Sequence, residues 1–310
     1  CLSATLEEVI TTEFLMKKWK IWLEAARPKT LFAGFVPVLT GASLAWADQA
    51  FHGPATLVAL FCALSIQIGT NFANDYFDFI KGIDTDARIG FQRATASGWI
   101  SPGNMLLAAI STMGLAFIAG LYLVWLGGWV VFWIGIFSLL FGILYTGGPF
   151  PLGYNGLGDL FVFIFFGLVA VTGTYYVNTL AWSPVSAWLS LPVGALCVNI
   201  LVVNNLRDLD QDRVTGKNTI GVLLGEQALK IEYALMLFFS YAVLPVLYFV
   251  YDYSPAILFP FLSLPFAFHL LKWIWFYEKK ESLNAALERT AQFMFLYGIL
   301  LSAGLLTQPV

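Results

Sequence analysis

Nine runs of roughly 20 mainly apolar residues occupy most of this 310-residue sequence, at about 30–47, 55–79, 103–125, 129–146, 157–178, 184–206, 228–251, 255–276 and 285–306. A segment that crosses lipid has to satisfy its own backbone polar groups, and a helix of that length does so unaided. The runs therefore predict an all-α polytopic membrane protein with nine transmembrane helices. The basic residues test the count. With a cytoplasmic N-terminus, the inner segments are the N-terminal arm and every second connection. The arm holds Lys17, Lys18, Lys20, Arg27 and Lys29. The inner connections and their edges hold Lys81, Arg88, Arg93, Arg207, Arg213, Lys217, Lys230, Lys272, Lys279, Lys280 and Arg289, which completes the 16 Lys and Arg of the chain. The outer connections carry none. This asymmetry predicts insertion in the inner or plasma membrane of a cell with the N-terminus inside.

Composition agrees, since 59% of the residues are hydrophobic and 11% charged, far from the quarter or so of charged residues in soluble domains. Residues 1–28, with Trp19 and Trp22 among lysines, predict an amphipathic helix at the membrane surface. Residues 29–310 then form one transmembrane domain. Pro37, Pro192, Pro245, Pro260 and Pro265 fall inside spans and predict kinks. Cys1, Cys62 and Cys197 have no pairing or zinc spacing, and His52 and His269 read as interfacial or packing residues.

The charge that remains is concentrated at two inner helix ends. Span 2 ends in Asn74-Asp75-Tyr76-Phe77-Asp78, then Lys81-Gly82-Ile83-Asp84-Thr85-Asp86. Asn74 and Asp78 share a helix face at i,i+4, and Gly82 lets the chain turn so that Asp84 comes back toward them. Span 6 ends with Asn204, Arg207, Asp208, Asp210, Asp212 and Arg213, of which Asn204, Asp208 and Asp212 stack at i,i+4. Oxygen donors without His or Cys suit a hard cation such as Mg²⁺. Acidic groups at helix C-termini oppose the helix dipole, so two such clusters are costly as mere capping. Lys81, Arg88, Arg93, Arg207, Arg213 and Lys217 supply the complementary charge for a diphosphate. A third inner segment, from Tyr145 to Asp159, is glycine-rich and allows close backbone approach to a ligand. Tyr145, Tyr154 and Asp159 are its candidate contacts.

Together, Asn74-Asp75-Tyr76-x-Asp78, Gly82-x-Asp84 and Asp208-x-x-x-Asp212 resemble the two aspartate-rich motifs of the UbiA superfamily of intramembrane prenyltransferases. The six-residue step from Asp78 to Asp84 is similar to the branch that prenylates 1,4-dihydroxy-2-naphthoate in menaquinone synthesis. So are Ala26-Arg27-Pro28-Lys29-Thr30, Arg93-x-x-x-Ser97-Gly98, Asn204-Asn205-x-Arg207-Asp208 and Thr215-Gly216-Lys217-x-Thr219. Phe91-Gln92 is a departure, because that branch often has proline after the glycine. The resemblance covers the chain from about residue 24 to the last span.

The resemblance implies a bundle of nine helices around a central cavity open sideways to lipid. It implies Asp78, Asp84, Asp208 and Asp212 as catalytic residues which, with Asn74 and Asn204, hold two Mg²⁺ ions on the diphosphate. Arg27, Lys29, Lys81, Arg88, Arg93, Tyr145, Tyr154, Asp159, Arg207 and Lys217 are then expected at the substrates, with Asp75, Asp86 and Asp210 orienting ligands or water. The implied partners are a polyprenyl diphosphate, the naphthoate acceptor and membrane lipid, with no nucleic acid. Other acceptors, 4-hydroxybenzoate, homogentisate or a haem vinyl group, are alternatives within the same chemistry. A transporter would place ionisable residues near the middle of the spans, whereas here the span centres are almost free of charge.

Overall fold

A computed structural model describes residues 18–84 and 89–308, and among them only helices and connections occur. Helix α1 (18–26) keeps Trp19 exposed and ends at Arg27, whose left-handed backbone (φ 56°) precedes Pro28. After the short 3₁₀ turn Pro28–Thr30 the chain bends by 51° into α2 (Phe32–Ala47). Part of the predicted surface segment, residues 1–17, lies outside the described residues.

Helix starts follow local chemistry. At α3 (Gly53–Ile80) the His52 ring accepts a hydrogen bond from the Ala55 N–H at 3.1 Å, with Pro54 in the first turn. His52 is thus a capping residue, and His269 lies edge-on to Trp273. At α4 (Pro102–Leu144) the Ser101 hydroxyl accepts from Asn104 N–H ahead of Pro102. Such caps satisfy amide groups that have no partner inside the helix. Cys62 and Cys197 are free thiols.

The two predicted spans 103–125 and 129–146 come as the single run α4 of 43 residues, broken at Gly128 (φ 70°, ψ −156°). A straight helix of that length would be about 65 Å long, twice the ~30 Å hydrocarbon core, so the break separates two arms. Trp125, Trp129 and Trp133 are exposed around it, as an interfacial aromatic belt would be.

The chain continues through α5 (Gly158–Thr179), α6 (Pro184–Val214), the short α7 (Ile220–Leu224), α8 (Glu226–Val250), α9 (Pro255–Phe276) and α10 (Leu283–Leu306). Pro37, Pro192 and Pro245 sit inside helices, and α9 opens with a 3₁₀ stretch, Pro255–Ser263, that contains Pro260. Among the described residues, seven helices are individually long and apolar enough to cross a bilayer, or eight if residues 18–30 and α2 form one bent span. Helix α6 is the axis of the bundle. Val193, Leu196, Val202, Val203 and Leu206 are buried there and share a core with Leu229, Leu244, Phe293 and Tyr297 of α8 and α10.

Helix α5 relaxes into a π-helix over Phe163–Val169. Within it, a Cβ on Gly167 would lie 2.8 Å from Gly194 Cα and 2.9 Å from Ser190 O of α6. Here two backbones touch, the packing that small residues permit between membrane helices. On its other side α5 meets the second arm of α4 through rings. Phe141 stands 4.8 Å from Phe161 and 5.4 Å from Phe165, centroid to centroid.

Candidate active site

The two acid-bearing helices end alike. After α3, Gly82 (φ 66°) reverses the chain and Ile83 N–H donates to Asp78 O; after α6, Gly216 (φ 76°) does the same and Lys217 N–H donates to Asp212 O. This glycine-closed cap satisfies carbonyls left over at the helix end. It turns Asp84 back toward Arg93, the partner of Asp78, and sets Lys217 within 3.5 Å of Asp78.

Asp78 is 1% exposed and faces three donors of its own chain. Arg93 Nη2 is 2.9 Å from its Oδ2, while Lys217 Nζ lies 3.5 Å from Oδ1 and the Tyr154 hydroxyl donates a short bond to that oxygen. Arg93 also reaches toward Asp84, Nε to Oδ1 3.7 Å, so one guanidinium spans both carboxylates of the first motif. Asn74 Oδ1 accepts from Thr146 Oγ1 at 2.6 Å. Lys81 Nζ donates to Thr146 O at 2.7 Å and, like Lys217, lies over the Tyr154 ring, at 4.7 and 4.6 Å from its centre.

In the second patch Arg207, 1% exposed, forms a two-pronged pair with Asp208 (Nε–Oδ1 and Nη2–Oδ2, both 2.7 Å). It also donates to Asn204 Oδ1 at 2.8 Å and Asn284 Oδ1 at 3.1 Å. Bidentate geometry of this kind is specific to arginine. Asp212 is buried on the same helix face.

The inner connections join over these patches. Asp75 accepts from the backbone N–H of Ala94 (3.1 Å) and Thr95 (3.0 Å), which fixes the loop that delivers Arg93. Asn284 donates to Ile89 O at 3.0 Å, Gln211 to Ile83 O at 3.1 Å, and Asn218 N–H to Tyr154 O at 2.7 Å. Phe91, the departure noted in the sequence, lays its ring 5.8 Å from the Arg207 guanidinium. Both acid patches therefore lie at one end of the bundle and open into one cavity of about 440 Å³. From Asn74, Asp78, Arg93, Tyr154, Arg207, Asp208, Asp212 and Lys217 the cavity descends between α2 to α6. Its deep wall is formed by apolar residues such as Val38, Leu123, Val131, Phe165 and Val177.

The electrostatics follow burial. Burial, and next the charge of Asp78, hold the Tyr154 phenol far above its ordinary range, so it stays a proton donor to that carboxylate. Tyr145 is raised too, first by burial and then by Asp159, Asp212 and Asp78. Burial lowers the Lys81 ammonium below its usual value, against the opposing pull of Asp78.

Most of the predicted site residues come together, including Arg27 and Tyr145 on the cavity wall. Lys29 does not. It is half-exposed and pairs with Glu288 at 2.8 Å. Asp210 is exposed and pairs with Lys280 at 2.6 Å, and Asp75 serves the loop backbone. Asp159 is buried at the first turn of α5, behind Tyr145 and off the cavity wall. Arg88 and Asp86 lie outside the described residues. Thr146, Gln211 and Asn284 went unanticipated; each is a polar residue at the inner end of an apolar run, the one local signal they carry.

The donor chemistry of Asn74, Asp78, Asp84, Asn204, Asp208 and Asp212 fits a hard divalent ion. Among the described residues no three His, Cys, Asp or Glu side chains already converge on one point, and Arg93 stands between Asp78 and Asp84.

The sequence profile of the UbiA prenyltransferase family matches residues 34–299. A 1,4-dihydroxy-2-naphthoate octaprenyltransferase of Haemophilus influenzae is 33% identical over 309 residues, 95% of this chain and 98% of its own. Its Escherichia coli (strain K12) namesake is 38% identical over 221 residues, 69% of this chain and 72% of its own. Among solved structures, a UbiA homolog from Archaeoglobus fulgidus bound to DMAPP and Mg²⁺ superposes with a TM-score of 0.65 at 14% identity, over 91% of this chain and 99% of that one. An apo UbiA homolog from Aeropyrum pernix K1 gives 0.67 at 13% identity, over 89% and 97%. The fold is shared with both.

Proposed function

This chain belongs to the UbiA prenyltransferase family, and we propose that it transfers a polyprenyl group from a polyprenyl diphosphate to 1,4-dihydroxy-2-naphthoate. It is an integral membrane protein and an enzyme of the prenyltransferase class. The observation that carries the reading is a single cavity with acids and bases at its mouth and apolar walls below. That division matches a donor with a diphosphate head and a hydrocarbon tail. The acceptor rests on the likeness to the naphthoate enzymes over most of the chain.

Nine spans follow if α2 and each arm of α4 cross the bilayer, and the distribution of basic residues then supports a site at the cytoplasmic face. In this reading Asn74, Asp78 and Asp84 on one side, and Asn204, Asp208 and Asp212 on the other, hold two Mg²⁺ ions. Bound Mg²⁺ supplies Lewis-acid polarisation of the diphosphate oxygens. Arg93, Lys81 and Lys217 stabilise the negative charge that grows as the allylic C–O bond breaks and diphosphate leaves with the electron pair. The cavity's rings and aliphatic side chains keep water from the allylic cation.

The ring carbon bearing the carboxylate gives its π pair to the cation. The C–CO₂ bond then breaks, CO₂ departs, and its electron pair restores the ring. No net proton is consumed, and the product is the quinol form of demethylmenaquinone.

The test is a panel with purified protein, Mg²⁺, a polyprenyl diphosphate and each of 1,4-dihydroxy-2-naphthoate, 4-hydroxybenzoate and homogentisate. Prenylated naphthoquinol with one CO₂ released per turnover is expected. Inert dihydroxynaphthoate beside prenylation of another ring overturns the acceptor.

A further inference from the structure

Two glycines on the cavity wall have room to spare. A Cβ built on Gly135, in the second arm of α4, or on Gly173, in α5, meets no heavy atom within 4 Å. Other wall glycines differ. At Gly34 the added atom would lie 2.5 Å from Gln67 Oε1, and at Gly142 it would lie 2.7 Å from Thr70 Oγ1. Neither Gly135 nor Gly173 has a positive φ, so backbone conformation does not require glycine. A helix interior disfavours glycine relative to alanine. What the bare Cα leaves at both places is lumen.

Their depths differ. Gly135 is ten residues from Tyr145 at the polar end, about 15 Å along the helix, and Gly173 is fifteen residues from Gly158, about 20 Å. An extended chain advances about 1.2 Å per bond, so a four-bond isoprene unit spans about 5 Å. Gly135 then lies level with the third unit of a donor whose diphosphate is at Asp78, and Gly173 level with the fourth. The volume agrees. A cavity of about 150 Å³ holds one benzene, so the ≈ 440 Å³ here, which includes the polar mouth, sets an upper bound of roughly eighteen carbons, three to four isoprene units.

We propose that Gly135 and Gly173 are specificity-determining positions that let the donor's hydrocarbon chain extend beyond its third isoprene unit. The proposal rests on the prenyl-donor reading above. A side chain at Gly135 closes the lumen after about the second unit, and one at Gly173 after about the third. Gly114 also has nothing within 4 Å of an added Cβ but does not line the cavity, so it serves as the control.

The experiment uses the full chain in nanodiscs with 1,4-dihydroxy-2-naphthoate and all-trans donors of one to eight isoprene units. Gly135→Phe is expected to keep turnover of one- and two-unit donors. Relative to those, its kcat/KM for donors of four or more units should fall by on the order of tenfold or more, the discrimination a misfitted methylene already produces. Gly173→Phe should move the break by about one unit, and Gly114→Phe should leave the profile unchanged. Variants active on short donors with the wild-type profile for long ones overturn the proposal. If a Phe variant is inactive with every donor, the Leu variant at the same position decides. A length-dependent loss supports the proposal, and a uniform loss overturns it. Wild-type protein that transfers no prenyl group from any donor refutes the donor reading itself, a separate result.

Discussion

Gly90→Ala tests whether Arg207 is locked in place by its loop. Gly90 is not in the left-handed region, so alanine costs the backbone little. The added Cβ, however, would sit 2.7 Å from Arg207 Nη2, 2.8 Å from Cζ and 3.1 Å from Nε. Relief needs a shift of more than half an ångström in a guanidinium that is 1% exposed and makes four hydrogen bonds, two of them to Asp208. The loop has little freedom to yield instead, because Asn284 holds Ile89 O and Phe91 lies over the guanidinium. Losing one or two charge-assisted hydrogen bonds, at about 1.5–3 kcal/mol each, destabilises the fold by about 2–4 kcal/mol. Thermal unfolding in detergent should show a drop of several degrees, with a fall in kcat/KM for the donor because Asp208 shifts. The Arg207→Met background is the control. With the guanidinium gone, Gly90→Ala should cost almost nothing, so the double-mutant coupling should nearly equal the single effect. An equal penalty on both backgrounds, or none on either, refutes the contact as the cause.

Asp78→Asn and Asp208→Asn should each lower turnover by on the order of a hundredfold or more while the protein stays inserted and folded by tryptophan fluorescence; near-normal activity would remove them from the metal site. Burial holds the Lys81 ammonium below its usual pKa, and the diphosphate needs the charged form. The alkaline limb of kcat/KM should therefore fall below pH 10.5, and Lys81→Arg should move it upward, an unchanged limb counting against Lys81. Gly194→Leu places a side chain where a Cβ already meets Phe163 O at 3.0 Å and Gly167 Cα at 3.1 Å. Overpacking there should destabilise by about 1–3 kcal/mol, read as a lower unfolding temperature with donor-length preference retained.

The sequence displays whatever repeats locally. Apolar run length placed the long helices, and i,i+4 spacing placed Asn74 with Asp78 and Asn204 with Asp208 and Asp212. Gly82 foretold the turn that brings Asp84 back. Pairings between distant segments leave no such trace. Asn284 serves Ile89 and Arg207 across the bundle, Thr146 meets Asn74, and Lys29 finds Glu288 instead of the substrate site. Asp75 and Asp78 look interchangeable in the sequence. They lie three residues apart on neighbouring parts of one helix face and both line the cavity, but Asp75 accepts from the Ala94 and Thr95 backbone while Asp78 meets Arg93, Tyr154 and Lys217. Gly128, between the predicted spans 103–125 and 129–146, is where the helical backbone of α4 breaks, so that division too was legible in the sequence.

The contrast between the two flanks of α5 makes an asymmetric cage. Widening it toward α6 means prising apart main chains that already touch at Gly167 and Gly194. Widening it toward α4 means turning Phe141, Phe161 and Phe165, whose mutual ring contacts are worth about 0.5–1.5 kcal/mol apiece. A greasy molecule arriving from the bilayer thus finds its soft wall on the α4 side, where rings can swivel into lipid while the central axis stays rigid.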